Sequence, residues 1–377
     1  MSESNKSRIT FFIVILTVIA VIHLIILAII IPNKKTETDL EDNTKYKVES
    51  KKFDKVGTKK TPVASKESNK SKSNTTKEKL AKLDNTSKKS YKYKVSSKSP
   101  NFGKKLDFSK ARHGNLSAKE VPNCSSVRSG IIVDMDTRKV IWEKNSNSKV
   151  RIASMSKMMT LLLAFEHMEQ KEDLSLNSII SIDKSVVANV PRDGVIWLDN
   201  GEKFPFKDII TAAAVKSAND AAYVISKVVA NNEKDFVRKM NQRAAELALT
   251  STRFVNSHGL PNRRGVDTLG SAKDMVLLGE RLFEYPVLMD IIKLPGATIR
   301  EGKKKTVYRN TNTLMKSKNI SGIDGLKTGY TRAAGFCITF SVLRNGRRFI
   351  GCVTGLPSAK DRNTFCANLI EWAYRYY

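Results

Sequence analysis

A serine and a lysine stand three residues apart in Ala153-Ser154-Met155-Ser156-Lys157-Met158-Met159-Thr160, and the apolar run Leu161-Leu162-Leu163-Ala164-Phe165 follows at once. On a helix, positions i and i+3 share a face one turn apart. The spacing therefore predicts a hydroxyl beside an amine at the mouth of a buried helix. A serine is a weak nucleophile until a base takes its proton, and a neutral lysine is such a base. The first turn of a helix also offers backbone N–H groups to a developing oxyanion. Spacing alone is weak evidence in a chain rich in Ser and Lys. Ser146…Lys149 and Ser181…Lys184 repeat it, but neither opens a long apolar helix.

Two further motifs lie downstream. Ser217-Ala218-Asn219 supplies a second hydroxyl, which could relay a proton, and an amide, which could hold a peptide-like substrate. Ser175…Asn177 and Ser317…Asn319 match the same short pattern, and a Ser or Asn capping a buried helix turn is a common structural use. Lys327-Thr328-Gly329 occurs once. A cation and a hydroxyl on a strand edge can grip a carboxylate, and the glycine would let a substrate backbone approach closely. A routine exposed strand end with a turn glycine is the structural alternative.

The elements that must position these groups begin at about residue 119. Gly130 to Asp136 and Val140 to Glu143 read as two strands joined by a turn at residues 137–139. Helical patterns run from the Ser154 motif onward, over Phe206 to Val229, Phe236 to Leu249 and Ala272 to Leu282, with Ser271 as N-cap of the last. Strand patterns return at Gly322 to Gly329, Phe336 to Leu343 and Arg348 to Thr354. Asn345-Gly346 marks a hairpin between the last two. A final helix, Ala359 to Tyr376, stripes Phe365, Leu369, Trp372, Ala373 and Tyr376 on one face. Strands at both ends with helices between them predict an α+β domain with a mostly antiparallel sheet.

The 377 residues carry 66 Lys and Arg against 37 Asp and Glu, a formal charge of +29. Residues 33–112 hold about half of that excess in roughly a fifth of the chain. Ile9 to Ile31 is almost wholly apolar and long enough to cross a bilayer. No small-residue cleavage site follows it, so it reads as an uncleaved transmembrane signal anchor after a short cytoplasmic segment, residues 1–8. Residues 32–118 are Lys, Ser, Thr, Asn and acidic residues with few large apolar ones, the composition of a disordered basic tether. Its lysines are scattered among Ser and Thr with few aromatics, which speaks against a nucleic-acid arm. The four cysteines lack Cys-x-x-Cys spacing and the four histidines are dispersed, so no metal site is expected. If Asn345-Gly346 is a two-residue turn, Cys352 lies opposite Thr339 and Cys337 opposite Thr354, a diagonal unsuited to a disulfide.

Ser-x-x-Lys, Ser-x-Asn and Lys-Thr-Gly, in that order, are the signature set of penicillin-binding proteins and serine β-lactamases. Residues 125–377 resemble D-alanyl-D-alanine carboxypeptidases of the low-molecular-mass penicillin-binding type. Gly130 to Asp136, Phe254 to Pro261, Asn310-Thr311-Asn312 and Ala334 to Cys337 fit as well. The resemblance implies a β-lactamase/transpeptidase-like fold in a single catalytic domain, residues 119–377, outside the membrane. It implies that Ser154 attacks the carbonyl between two D-alanines of a peptidoglycan stem peptide while Lys157 accepts its proton. Ser217 would pass a proton toward the departing D-alanine and Asn219 would bind the substrate amide. Lys327 and Thr328 would hold the terminal carboxylate beside Gly329. The backbone N–H groups of Ser154 and Tyr330 would form the oxyanion hole. No metal or organic cofactor is implied, and β-lactams would be covalent inhibitors. Lysine ordinarily titrates near ~10.4, so Lys157 must be driven down by burial and by the charge of Lys327.

Departures from the family pattern are an N-terminal rather than C-terminal anchor, no β-sandwich after the last helix, and Arg332 where an acidic or neutral residue is more usual. His258 reads as a loop-stabilising histidine rather than a triad member. Three other functions compete: a DD-endopeptidase on cross-links, a β-lactamase using the loop Glu246-Leu247-Ala248-Leu249-Thr250, and an idle wall-binding scaffold. The anchor makes a prediction of its own. The native protein should keep its N-terminus and stay with membranes through a high-salt wash. A mature N-terminus beyond residue 31 would make the segment a signal peptide instead.

Overall fold

The computed structural model describes residues 101–300, 305–317 and 320–377. The expected anchor, residues 9–31, and residues 32–100 of the expected tether lie outside them. No helix among the described residues is long and apolar enough to cross a membrane.

Twelve strands are described: β1 (Arg112–His113), β2 (Ser129–Asp134), β3 (Val140–Lys144), β4 (Val150–Arg151), β5 (Ile179–Ser181), β6 (Lys203–Pro205), β7 (Leu269–Gly270), β8 (Gly296–Arg300), β9 (Thr306–Arg309), β10 (Ile323–Thr331), β11 (Gly335–Arg344) and β12 (Arg347–Leu356). Six of them form one sheet in the order β1-β3-β2-β12-β11-β10, antiparallel except for the β1–β3 pair. The helices are α1 (Lys157–Gln170), α2 (Lys184–Asn189), α3 (Phe206–Thr211), α4 (Asn219–Ala230), α5 (Glu233–Glu246), α6 (Ala272–Leu282), α7 (Pro286–Ile292) and α8 (Ala359–Tyr376).

Side chains alternate across a strand, and here both faces are covered. Ile131, Val133, Ile350 and Cys352 join a core with α1, α4 and α6, whereas Ile132, Phe349 and Val353 join Phe365, Leu369 and Trp372 of α8. Every residue of β2 is consequently buried. The result is helix, sheet, helix, with β2 and β12, from opposite ends of the domain, side by side in the middle layer. The α+β expectation holds, as does the 345–346 hairpin: Asn345 and Gly346 both have positive φ, 49° and 78°, the twist that two-residue hairpins require. Ser271 caps α6 as expected, accepting from the Asp274 N–H at 3.1 Å.

Four readings need correction. The folded part does not wait for residue 119. Arg112 and His113 pair with Trp142 and Glu143, Leu116 is buried, and the Trp142 indole donates to the Gly114 carbonyl at 2.8 Å. A few apolar residues (Leu106, Phe108, Ala111, Leu116) suffice because the backbone beside them completes the bare edge of β3, which composition cannot reveal. The helix expected over 206–229 is broken: α3 runs into a π-helical turn, Ala212–Lys216, and Ser217 turns left-handed before α4 starts. Cys352 lies opposite Thr339 as expected, but an irregularity between Phe336 and Ile338 leaves Cys337 with no register partner in β12 instead of placing it opposite Thr354. All four cysteines are buried and unbonded. Tyr376, expected on the apolar stripe of the last helix, is exposed.

A chain beginning at residue 119 loses β1 and Leu116. We expect it to unfold at a lower denaturant midpoint than a chain beginning at 101. The deficit should be at least about 2 kcal/mol, the scale for losing one buried leucine. Coincident unfolding curves would mean that residues 101–118 add nothing to the domain.

Candidate active site

Ser154 sits in a 3-10 turn, Ala153–Ser156, that leads directly into α1 with Lys157 as its first residue. In a 3-10 turn, side chains at i and i+3 eclipse, which aligns this pair more closely than an α-helix would. The Lys157 Nζ is 3.0 Å from Ser154 Oγ, 2.6 Å from Asn219 Oδ1 and 2.6 Å from the His258 carbonyl oxygen. Lys157 is fully buried. Burial, and next the nearby charge of Lys327, hold its amine well below the usual lysine range, against the pull of Asp220. A neutral amine has two N–H donors and one lone pair. Asn219 and His258 offer two acceptors for the donors, which leaves the lone pair facing the Ser154 hydroxyl. The two fixed acceptors thus orient the base toward the nucleophile.

The second hydroxyl is placed by strain. The π-helical turn, a feature frequent at functional sites, ends at Ser217 with φ 63°, a region that non-glycine residues seldom occupy. Ser217 Oγ accepts from Lys327 Nζ at 2.8 Å, and Lys327 also donates to the Thr328 carbonyl. Burial, helped by the Arg362 guanidinium, brings Lys327 down to about 7. Thr328 Oγ1 lies 2.9 Å from Thr311 Oγ1, and the Thr311 N–H donates to Val215 in the π-turn. Asn312 donates to the Gly325 carbonyl, so residues 310–312 tie β10 to the turn that carries Ser217.

Every motif residue named from the sequence therefore reaches one cleft, but two are placed differently. Gly329 faces the nucleophile turn: a Cβ there would lie 2.7 Å from the Ile152 carbonyl oxygen and 3.3 Å from Ala153 Cβ. Its lack of a side chain lets β10 close on that turn. Asn219 is buried, and both ends of its amide are engaged, Oδ1 by Lys157 and Nδ2 by the Asp193 carbonyl at 2.6 Å. Tyr330 presents an exposed ring stacked on Phe336, centroids 4.2 Å apart. Arg332 is exposed in the turn after β10. Among the described residues β10 ends the sheet, and an edge strand is where an extended peptide can add by backbone pairing.

His258 contributes its backbone. Burial, then the Lys157 charge, lowers its imidazole to about 3, and Nδ1 accepts the Leu260 N–H, so the ring is neutral. Gly259, at φ 88°, is pressed so close to Ala153 that a Cβ would meet its carbonyl oxygen at 2.1 Å. Glu233 fixes the same loop by accepting from Ser257 N–H and Oγ, and Thr160 of α1 donates to the Ser257 carbonyl. Asp220, also missed in the sequence, accepts from the Ile196 and Leu198 N–H groups. An aspartate in the apolar stretch after Asn219 was its available signal. Glu246 is exposed and ion-paired with Arg243. A cavity of about 360 Å³ lies behind His258 and is lined by none of the motif residues. The perturbed lysines meet the serine hydroxyls at the motifs instead.

The profile of peptidase family S11, D-alanyl-D-alanine carboxypeptidase, matches residues 116–358. The D-alanyl-D-alanine carboxypeptidase DacF of Bacillus subtilis is 31% identical over 251 residues, covering 66% of this chain and 62% of that protein. DacC of Escherichia coli, also a D-alanyl-D-alanine carboxypeptidase, is 28% identical over 263 residues, covering 68% and 63%. The chain thus spans somewhat under two thirds of the length of these relatives. Among solved structures, penicillin-binding protein D2 of Listeria monocytogenes in its cefotaxime-bound form matches with a TM-score of 0.58 at 26% identity, covering 66% of this chain and 97% of that one. The peptidoglycan synthesis regulatory factor PBP3 of Streptococcus pneumoniae matches with a TM-score of 0.61 at 25% identity, covering 66% and 76%. With the family profile spanning well over half of its residues, and with the same fold, the chain belongs to the D-alanyl-D-alanine carboxypeptidase family, peptidase S11.

Proposed function

We propose that the protein is a serine-type D-Ala-D-Ala carboxypeptidase that removes the terminal D-alanine from peptidoglycan stem peptides. The observation that carries this reading is the buried Lys157 amine, held by two acceptors with its lone pair on Ser154. Ser154 Oγ attacks the carbonyl between the two D-alanines as Lys157 takes its proton. Backbone N–H groups of Ser154 and Tyr330 receive the oxyanion. The proton reaches the departing D-alanine amine through Ser217, whose hydroxyl already bonds Lys327. Lys327 and Thr328 hold the substrate's terminal carboxylate. Water then hydrolyses the acyl-enzyme. Asn219 chiefly aims Lys157, and the second N–H of its Nδ2 is the part that can meet the substrate amide.

β-Lactams mimic the substrate's acyl group and would acylate Ser154. DD-endopeptidase action on cross-links is the second reading, because a Pseudomonas aeruginosa D-alanyl-D-alanine endopeptidase is 27% identical over 219 residues. A cross-linked muropeptide assayed beside a pentapeptide separates the two. Rapid antibiotic turnover would favour a β-lactamase, but Glu246 is tied to Arg243 at the exposed end of α5. We further propose that residues 9–31 anchor the protein in the cell membrane with the catalytic domain outside. Residues 32–100 would then serve as the basic tether, which at roughly 5–6 Å × √n has an r.m.s. reach of about 45 Å.

Three outcomes follow for the active site. Penicillin should leave its adduct on the Ser154 peptide in a mass-spectrometric digest, and Ser154→Ala should abolish it. Lys157→Arg, which cannot supply a neutral amine, should slow acylation by about two orders of magnitude or more, whereas Lys327→Arg should chiefly raise KM. Equal, mild losses from both would defeat these roles.

The pH profile gives a separate check. kcat/KM for a D-Ala-D-Ala peptide should fall on the acid side as Lys157 gains a proton. It should fall on the alkaline side, beginning near 7, as Lys327 loses its charge. Lys327→Arg stays charged, so it should keep the acid limb and lose the alkaline one. An alkaline limb that survives this change must belong to another group.

A further inference from the structure

Asn219 aims the Lys157 amine with its side-chain oxygen, but the two ends of an amide are nearly the same size. Turned over, the amide would present its NH2 to Lys157. Two donors would then face each other, and one of the two acceptors that orient the base would be lost. The acceptor at the far end selects the working orientation. It is the Asp193 carbonyl, 2.6 Å from Asn219 Nδ2. Next to it, the Gly194 carbonyl accepts the Asn219 backbone N–H at 2.8 Å. The aim of the base therefore depends on where residues 193–198 lie.

Those residues belong to no helix or strand, so their backbone groups need other partners. Two opposite charges supply them. The Asp220 carboxylate accepts from the N–H of Ile196 at 3.0 Å and of Leu198 at 3.1 Å, and from the Ala221 N–H at 2.9 Å. The Arg300 guanidinium donates to the Ile196 carbonyl at 2.8 Å and the Trp197 carbonyl at 2.6 Å, and is itself paired with Glu202. Tyr308 adds its hydroxyl to the Ile196 carbonyl at 3.3 Å. The segment is thus gripped by its N–H groups from one side and by its carbonyls from the other. Trp197 within it is held at φ 58°, a conformation that a bulky residue adopts only when its surroundings impose it. Asp220 is buried and follows Asn219 directly in α4. One helical turn therefore carries both the amide and the carboxylate that fixes the segment orienting it.

We propose that Asp220 is a positioning residue for the acylation step, clamping residues 196–198 so that the Asp193 carbonyl keeps the Asn219 amide with its oxygen on Lys157. The inference rests on the carboxypeptidase reading above. The linkage runs from the carboxylate through the Ile196 and Leu198 N–H groups, the Asp193 carbonyl and the Asn219 amide to the Lys157 amine and the Ser154 hydroxyl. Asp220 also acts through its charge. It draws the Lys157 amine upward, against burial and Lys327. Burial lifts the Asp220 carboxyl itself above the ordinary range, against its N–H donors. On acidification it gains a proton and slackens the clamp, which adds to the acid-side loss. The other charged or titratable groups facing it are Tyr308 of β9, Arg300 of β8 through the shared peptides, and Arg192 and Asp199, which line a small cavity with it. All of these stay in place when Asp220 alone is changed.

The test measures penicillin acylation in Asp220→Ala and Asp220→Asn proteins beside the wild type. Asp220→Ala should lower the maximal acylation rate by about a hundredfold, the scale for a catalytic group misplaced by about 1 Å. The half-saturating concentration should stay near its wild-type value, because Lys327 and Thr328 grip the carboxylate elsewhere in the cleft. Asp220→Asn is nearly isosteric and keeps a neutral oxygen for the Ile196 and Leu198 N–H groups, so it should recover about tenfold of that loss. The pH profile is the readout that mere loosening would not move. Without the Asp220 charge, Lys157 binds its proton less readily, so the acid limb should lie at lower pH in Asp220→Asn than in the wild type. Lower rates with the acid limb in place overturn the inference, by reducing Asp220 to a structural part. An unchanged maximal rate in Asp220→Ala, or a loss confined to half-saturation, overturns it too. Where Asp220→Ala does not fold, the rate and acid limb of Asp220→Asn decide. A wild-type protein that penicillin fails to acylate would remove the carboxypeptidase reading and this inference together, whereas normal acylation in the wild type and in both variants removes only the inference.

Discussion

A lysine amine buried among a serine hydroxyl, an asparagine carbonyl and a backbone carbonyl is the interaction on which the rest of this structure depends. Burying an ammonium ion costs several kcal/mol even after relaxation. The protein avoids much of that by lowering the lysine's proton affinity. A second buried lysine, Lys327, reinforces the effect across the cleft. The same depression that relieves the burial leaves Lys157 with the free lone pair that the proposed base needs. Stability and chemistry are here two consequences of one desolvated group.

Holding that group requires three separate segments. The nucleophile turn must meet β10, which only glycine at 329 permits, and must meet the 256–260 loop, which only glycine at 259 permits. The Ser217 segment must leave helical geometry at the position where its hydroxyl reaches Lys327. Left-handed residues at Ala153, Trp197 and Ser217 each oppose the fold locally, at about 1–3 kcal/mol apiece. The two apolar layers around the sheet carry this load. Each fully buried large side chain contributes about 1.5–3 kcal/mol, and both faces of β2, β11 and β12 are filled with them.

Layering also explains why distant parts of the sequence meet. An early strand and the last one lie adjacent, β2 against β12, and the helices that follow β3 return to cover one face of the sheet. β10 is left at the edge, where no other described strand covers its outer side. An edge strand ordinarily invites unwanted pairing. Here the nucleophile turn approaches that edge, so the open backbone groups lie beside the serine.

The sequence by itself determined the chemistry's parts and most of the elements. Ser154 and Lys157 were legible because helical spacing is local, and the 345–346 hairpin because Asn-Gly chemistry is local. The cap at Ser271 and the helix from Ala359 to Tyr376 were local for the same reason. What the sequence left hidden depends on contacts between remote segments. The break at Ser217 was invisible, because an alanine- and valine-rich stretch favours an unbroken helix until Lys327, on a strand 110 residues away, bonds Ser217 and Thr311, in the loop before that strand, bonds Val215. The order of residues 101–118 was invisible, because what secures them is largely a backbone edge, and composition reports only side chains. The carbonyl of His258 and the carboxylate of Asp220 were likewise decided by tertiary structure. A backbone oxygen has no letter in the sequence, and an aspartate acquires a role only when two N–H groups are brought to it.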